Sequence, residues 1–293
     1  MPIEALKRRI KTTEDLREIV NNMKMLSSVS IGQYEQVNSV LDKYRRNLRD
    51  AFHALLIHHG VPNIKAPSNI KNHYLYILIG SDNGMIGRFN KEKIEAVNND
   101  LKQNHISKQD VMFMILGKRL AMMAEQTGWN LWTCYGMVNS VKAVSGLAGS
   151  VILKIDEATR KERVSNVCVW YHTRKNNSSV SLEKREIIPF ATENMKKLKA
   201  QKWETNNIPM LEVEPQKMFA ALVKEMLLVT LSKQINASLA AEHFTRMTNM
   251  QNAEKNIDEN LAVMNLDYQQ QRQEEITDEL IDVISGAEAM RKV

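Results

Sequence analysis

The chain has 293 residues, of which 43% are hydrophobic and 25% charged, and its net charge is +6. Those are globular proportions, so wholesale disorder is excluded, and the length allows one or two domains. Two cysteines, Cys134 and Cys168, are too few and too separated for a disulfide framework or a four-ligand zinc site.

At the N-terminus no apolar stretch follows Lys7, Arg8 and Arg9, so no secretory signal is expected. From Ile3 to His59 there is no proline and one glycine, Gly32, which predicts one long helix over residues 1–59. Tyr34, Val37, Leu41, Tyr44, Leu48 and Leu55, with Ala51 and Phe52 filling the last turn, follow the three-four spacing of a coiled-coil seam.

Residues 60–215 hold nine of the eleven glycines, five of the six prolines, both cysteines and all four tryptophans, and therefore read as a folded domain. Tyr74 to Gly80 is a continuous apolar, β-prone run, as a buried parallel strand requires. A helix over Lys91 to Gln103 follows, then a strand over Val111 to Leu116, a helix over Arg119 to Thr127 and a strand over Trp132 to Met137. A further helix over 140–155 precedes two strands, Asn166 to His172 and Ser179 to Pro189, joined around Lys175-Asn176-Asn177. Alternation of this kind is α/β, with an antiparallel edge. From Gln216 to Ser285 neither glycine nor proline occurs, and a second long helix is expected over 216–293. Met250, Ile257, Leu261, Met264 and Tyr268 repeat the seam in it, interrupted once by Glu254.

At ~1.5 Å per residue the two outer helices would be about 85 and 115 Å long, too long to hide inside a globule of this size. They need each other and a surrounding partner. A chain that leaves by one helix and returns by the other pairs them antiparallel, and the charges agree. Lys7, Arg8, Arg9 and Lys11 open the first helix, while residues 254–288 carry ten acids against Lys255 and Arg272. The competing reading of both charge runs is a solvated face.

Motifs that carry chemistry are mostly absent from the sequence. Gly80-Ser81-Asp82-Asn83-Gly84-Met85-Ile86-Gly87 sits where a dinucleotide fingerprint would, but its glycines do not have the G-x-G-x-x-G spacing that lets a backbone approach a pyrophosphate. The plainer reading is a tight turn in which Asp82 caps local amides. Gly117-Lys118-Arg119 lacks the upstream glycine and the hydroxyl residue of a phosphate loop. His58 and His59 point to different helix faces and cannot share a metal. Both cysteines read as core residues of strands, and no nucleophile elbow is present. Net charge divides as +3 over residues 1–59, +7 over 60–215 and −4 over 216–293, with no dense basic stripe bearing aromatics, so no nucleic acid partner is expected.

Arg272-Gln273-Glu274-Glu275-Ile276-Thr277-Asp278-Glu279-Leu280, closing on Ser285-Gly286-Ala287, resembles the C-terminal signature of the gamma subunit of F-type ATP synthases, the central shaft of a rotary motor. Arg246-Met247, Glu214-Pro215, the Ser81 to Gly87 turn, Leu6 to Ile10 and Met23-Lys24-Met25 fit the same family, so the resemblance spans essentially the whole chain. Departures mark a diverged branch. Glu18 to Met23 lacks two of the family's lysines, Asn83 stands for its turn arginine, Ser27 to Ser30 replaces its Ala-Ala-Ser-Lys, and Thr245 replaces an alanine.

The resemblance implies an antiparallel coiled coil of the terminal helices around a central Rossmann-like α/β domain. It implies a non-catalytic central stalk coupling rotation of a membrane ion-translocating ring to the conformational cycle of the catalytic subunits. Partners would be the alpha and beta head subunits, an epsilon-type subunit and the proteolipid ring, at the cytoplasmic face of the plasma membrane, with no cofactor, metal or catalytic residue. It carries partner contacts onto Met23, Lys24, Arg246, Arg272, Gln273 and Thr277, and places Lys93 and the Lys196-Lys197-Lys199 face toward the ring or the epsilon-type subunit. Arg246 and Arg272 also read as solvated charges, Thr277 as bonding its own i−4 carbonyl, and Met23, Met25, Met247 and Met250 as seam packing. Two other classes compete: a soluble α/β nucleotide-binding enzyme with helical dimerisation arms, and a coiled-coil scaffold that never meets ATP.

Overall fold

The computed structural model describes residues 3–60, 73–162, 164–176, 179–189, 192–203, 207, 210 and 212–291. Two compact units are present, one of residues 1–28 with 246–293 and one of residues 29–245. Both draw on two long helices, α1 (Ile3–His59) and α6 (Pro215–Arg291). Where glycine and proline are missing the helix runs on, as the sequence predicts.

The larger unit is built on a five-stranded sheet of order β3-β2-β1-β4-β5. Strands β1 (Tyr74–Ile79), β2 (Val111–Leu116), β3 (Leu131–Tyr135) and β4 (Asn166–Asn176) are parallel, and β5 (Ser179–Ile188) closes the edge antiparallel to β4. Crossovers are made by helices α2 (Phe89–Gln103), α3 (Lys118–Glu125) and α4 (Val144–Lys161). Strand alternation sends Tyr76, Leu78, Phe113 and Ile115 to one face, under Ile94, Val97 and Leu101 of α2 and Leu120 and Ala124 of α3. Leu75, Ile77, Ile79, Met114 and Leu116 face the other way, under Val151 and Ile155 of α4 and Leu231, Ile235 and Leu239 of α6. With both faces covered, the continuous apolar runs of β1 and β2 are what a parallel sheet demands.

Both edges are defended. β5 carries Glu183, Lys184, Arg185 and Glu186, and β3 is only five residues long. Its edge position overturns one expectation: Cys134 is exposed, whereas Cys168, on β4, is buried as expected. A short helix missing from the sequence reading, α5 (Thr192–Ala200), follows β5. The β4–β5 turn was expected around Lys175-Asn176-Asn177; Lys175 and Asn176 instead continue β4, and Asn177 lies outside the described residues.

Within this unit α1 and α6 pair antiparallel. Phe52 meets Phe219 edge-on at 5.9 Å, Lys233 bridges Asp42 at 2.5 Å, and Tyr34 stacks on His243 at 5.7 Å. Leu48, Phe52 and Leu55 are buried against Leu222 and Val229, while Tyr44 and Ala51 prove exposed, Tyr44 donating its hydroxyl to Glu225 at 3.0 Å. They lie at the rim of the seam because the apolar stripe turns toward α6 and the sheet.

In the smaller unit the two helices are again antiparallel. Leu6 packs with Leu261 and Met264, flanked by Ile10, Ile257 and Tyr268. The opposite charges meet at Arg17–Asp258, 2.7 Å, and Lys24–Glu254, 2.5 Å. Partly exposed pairs of this kind contribute ~0–1 kcal/mol each, so orientation is their main contribution and the apolar seam supplies the cohesion.

Candidate functional site

In an open α/β sheet a ligand sits beyond the carboxyl ends of the strands, where strand order reverses. Here that place lies between β1 and β4, and the chain fills it with its own side chains. Lys93, fully buried on α2, donates its Nζ to the carbonyl of Ile79, the last residue of β1. Ser238 of α6 donates its hydroxyl to the same carbonyl at 3.2 Å. Phe89 stacks on His172 at 3.9 Å, with Lys93 Nζ 4.9 Å from the Phe89 ring centre. Lys93 is therefore a bolt inside the domain, which corrects its expected place on a partner-facing surface.

The glycine-bearing turn is closed in the same manner. Asp82 Oδ1 accepts from the amide of Lys118 at 2.7 Å, and its Oδ2 from the amide of Met137 at 3.0 Å. The caps are thus on α3 and on the segment leaving β3, not on the local turn. Asn90 donates to Ser81 Oγ at 2.9 Å, and Ser81 Oγ donates to the carbonyl of Asn83 at 3.0 Å.

Burial lowers the Lys93 pKa from 10.5 to about 7, against the opposing pull of Glu242 and Glu92. Burial, with the Lys93 charge nearby, also holds His172 neutral. Between about pH 7 and 10.5 the unfolded chain binds a proton at Lys93 that the folded chain does not, so this group makes stability rise with pH across that window. Lys93→Met removes the ionisation, and Ile79 keeps the Ser238 bond. The stability of the wild type relative to Lys93→Met is expected to increase as pH is raised from about 7 toward 10.5, read from urea midpoints at several pH values. Parallel profiles would contradict a buried, titrating lysine.

Runs of exposed apolar residues lie on both long helices. On α6, Ile276, Leu280 and Ile284 recur every fourth residue and are 48%, 57% and 57% exposed, with Ile281 and Val283 exposed beside them. Arg272, Gln273 and Thr277 are exposed on the same stretch. On α1, Leu16, Ile19, Met25 and Leu26 are exposed. An apolar stripe of that extent is a mark of an interaction surface.

The expected contact residues are thus distributed unequally. Arg272, Gln273 and Thr277 stand together and accessible, Thr277 donating its hydroxyl to the Gln273 carbonyl at 2.8 Å, the local bond foreseen for it. Met23 and Lys24 are half-buried, and Lys24 is engaged by Glu254. Arg246 is 6% exposed, so it is not a solvated helix charge. Met25 is exposed rather than packed in the seam, whereas Met250 is buried. Lys196, Lys197 and Lys199 are exposed on α5.

A family model described as ATP synthase matches residues 2–290. The chain belongs to the ATP synthase family. Among curated relatives, the ATP synthase gamma chain of Clostridium kluyveri is 25% identical over 287 residues, 98% of this chain and 97% of that one. The ATP synthase gamma chain of Staphylococcus haemolyticus is 22% identical over 291 residues, covering 96% of each. The rotor of the Euglena gracilis mitochondrial ATP synthase shares the fold at a TM-score of 0.64 and 15% identity, over 94% of this chain and 98% of that one. The central stalk of the Tetrahymena thermophila mitochondrial ATP synthase matches at 0.57 and 19% identity, over 80% and 99%. The chain is a subunit of a membrane-associated ATP synthase complex. No helix among its described residues is long and apolar enough to cross a membrane.

Proposed function

We propose that this chain is the rotor shaft of an F-type ATP synthase and is itself non-catalytic. The paired α1 and α6 ends turn within a ring of three catalytic and non-catalytic subunit pairs. The α/β domain, residues 60–215, meets the proteolipid ring and an epsilon-type subunit at the cytoplasmic face of the plasma membrane, with Lys196, Lys197 and Lys199 as its basic contact face. The observation that carries this reading is the exposed apolar stripe of Ile276, Leu280 and Ile284 beside Arg272, Gln273 and Thr277. A shaft inside a sleeve needs such a surface, and a lone enzyme does not. The filled crevice at Lys93 and Phe89 favours the same reading over an α/β nucleotide-binding enzyme with dimerisation arms.

Coupling then follows from asymmetry. A shaft whose sides differ in shape and charge touches each catalytic subunit differently, so each angular position favours a different nucleotide state of each subunit. The effect is reciprocal by linkage: nucleotide turnover turns the shaft, and turning the shaft shifts nucleotide affinity. Arg272, Gln273 and Thr277 supply contacts to the catalytic subunits, Met23, Lys24 and Arg246 support them, and the unbroken helices supply stiffness.

Removal of residues 272–293 from the assembled complex is expected to leave ATP hydrolysis running while ATP-driven ion pumping is lost, read as phosphate release against vesicle acidification or ion uptake. Full pumping by the truncated complex would refute the role of this segment.

A further inference from the structure

Where α1, α6 and strands β4 and β5 adjoin within the larger unit lies a cavity of about 260 Å³ that the shaft mechanism does not use. Gln234 of α6 lines it. It is 2% exposed, and among the described residues neither its Oε1 nor its Nε2 meets a hydrogen-bond partner. A buried amide in that condition calls for a ligand bearing both an acceptor and a donor.

The charges around it select the sign. Lys233 is committed to Asp42 at 2.5 Å, and the Glu183 carboxylate accepts from the Tyr171 hydroxyl at 2.9 Å. Arg45 and Arg185 line the cavity as well, Arg45 with only a 4.0 Å approach to Asp42. The cavity continues into a hollow of about 490 Å³ that shares Arg45, Arg185 and Thr230 and adds Arg46 and Arg49, with Glu186 the one acid among the described residues of its wall. Four guanidinium forks on one concave surface match the oxygens of a phosphate group.

We propose that this cavity binds a phosphate group, free or as a monoester, with Arg45 and Arg185 on its anionic oxygens and the Gln234 carboxamide reading its protonation. Near neutral pH free phosphate carries both P–O⁻ and P–OH, and a monoester, whose second pKa is about 6, carries both when bound as its monoanion. The former accepts from Nε2 and the latter donates to Oε1, a pairing that fully ionised sulfate cannot make.

The test uses the full chain and two variants, Gln234→Leu and Arg185→Gln, with folding checked by circular dichroism. Arg185 is exposed on the edge strand, so its variant keeps the experiment informative if Gln234→Leu does not fold. One arm titrates inorganic phosphate and sulfate calorimetrically at equal ionic strength; the other sediments the protein with phosphatidylcholine vesicles containing phosphatidic acid. Saturable phosphate binding at least about tenfold tighter than sulfate, with the preference lost in Gln234→Leu and binding weakened in Arg185→Gln, identifies free phosphate as the occupant. Retention on phosphatidic acid vesicles that depends on the same two residues, without selective binding of free phosphate, identifies the monoester headgroup. Equal and Gln234-independent responses to phosphate and sulfate, or no binding in either arm, would overturn the proposal and leave a cavity filled by water.

Discussion

Replacing both Leu280 and Ile284 with aspartate is expected to change the unfolding free energy of the isolated chain by no more than about 1 kcal/mol, because both side chains are already more than half exposed. In the assembled complex the same change is expected to cut ATP-driven ion pumping at least about tenfold. The reason lies in the partner. A carboxylate pressed against an apolar sleeve must be desolvated at every angular position, and that cost opposes rotation. Urea unfolding of the free chain and pumping by reconstituted vesicles separate the two effects. Unchanged pumping would mean that this stripe touches nothing.

Gly117→Ala is expected to destabilise the chain by about 3 kcal/mol, far more than its single methyl suggests. Gly117 has φ +121°, and a Cβ there would lie 2.7 Å from the amide nitrogen of Ser81 and 2.9 Å from the carbonyl carbon of Gly80. Both obstacles are backbone, so no rotamer change relieves them. The shift also pulls the Lys118 amide from Asp82, which caps α3. Gly128 is the internal control, with φ +71° and no atom of the described residues within 4 Å of the added Cβ. Gly128→Ala bears only the conformational term, about 1 kcal/mol. Equal losses at the two positions, measured by urea unfolding, would refute close backbone approach as the cause.

The long helices were legible because their signal is an absence: without glycine or proline nothing stops propagation, and periodic apolar residues then choose the paired face. Strands β1 and β2 were legible because burial on both faces leaves continuous apolar runs. α5 was not, since its apolar positions are Met195, Leu198 and the terminal Ala200 among lysines, too few to show a period. Cys134 was misplaced because a residue on an edge strand is chemically indistinguishable from one at the centre. Lys93 misled for a deeper reason. Its neighbour Ile94 marks the buried face, and a lysine beside it reads as solvated, but the strand end beneath offers the Ile79 carbonyl that holds it inside. Gln234 is similar: nothing in its sequence context shows that the surrounding helices and strands leave its amide bare.

The candidate contact segment divides along the same line. Arg272, Gln273 and Thr277 were found through their resemblance to a family signature, and the structure leaves them open on one stretch of α6. Arg246 and Lys24 came from the same source, yet burial for one and the bridge to Glu254 for the other depend on tertiary packing that no local pattern encodes.

The most direct test of the shaft assignment is the composition and native mass of the complex purified through this chain from its own membranes in mild detergent. One copy of the chain with three copies each of two nucleotide-binding subunits and a proteolipid ring is the expected result. A homodimer of the chain, or an assembly without nucleotide-binding subunits, would contradict it.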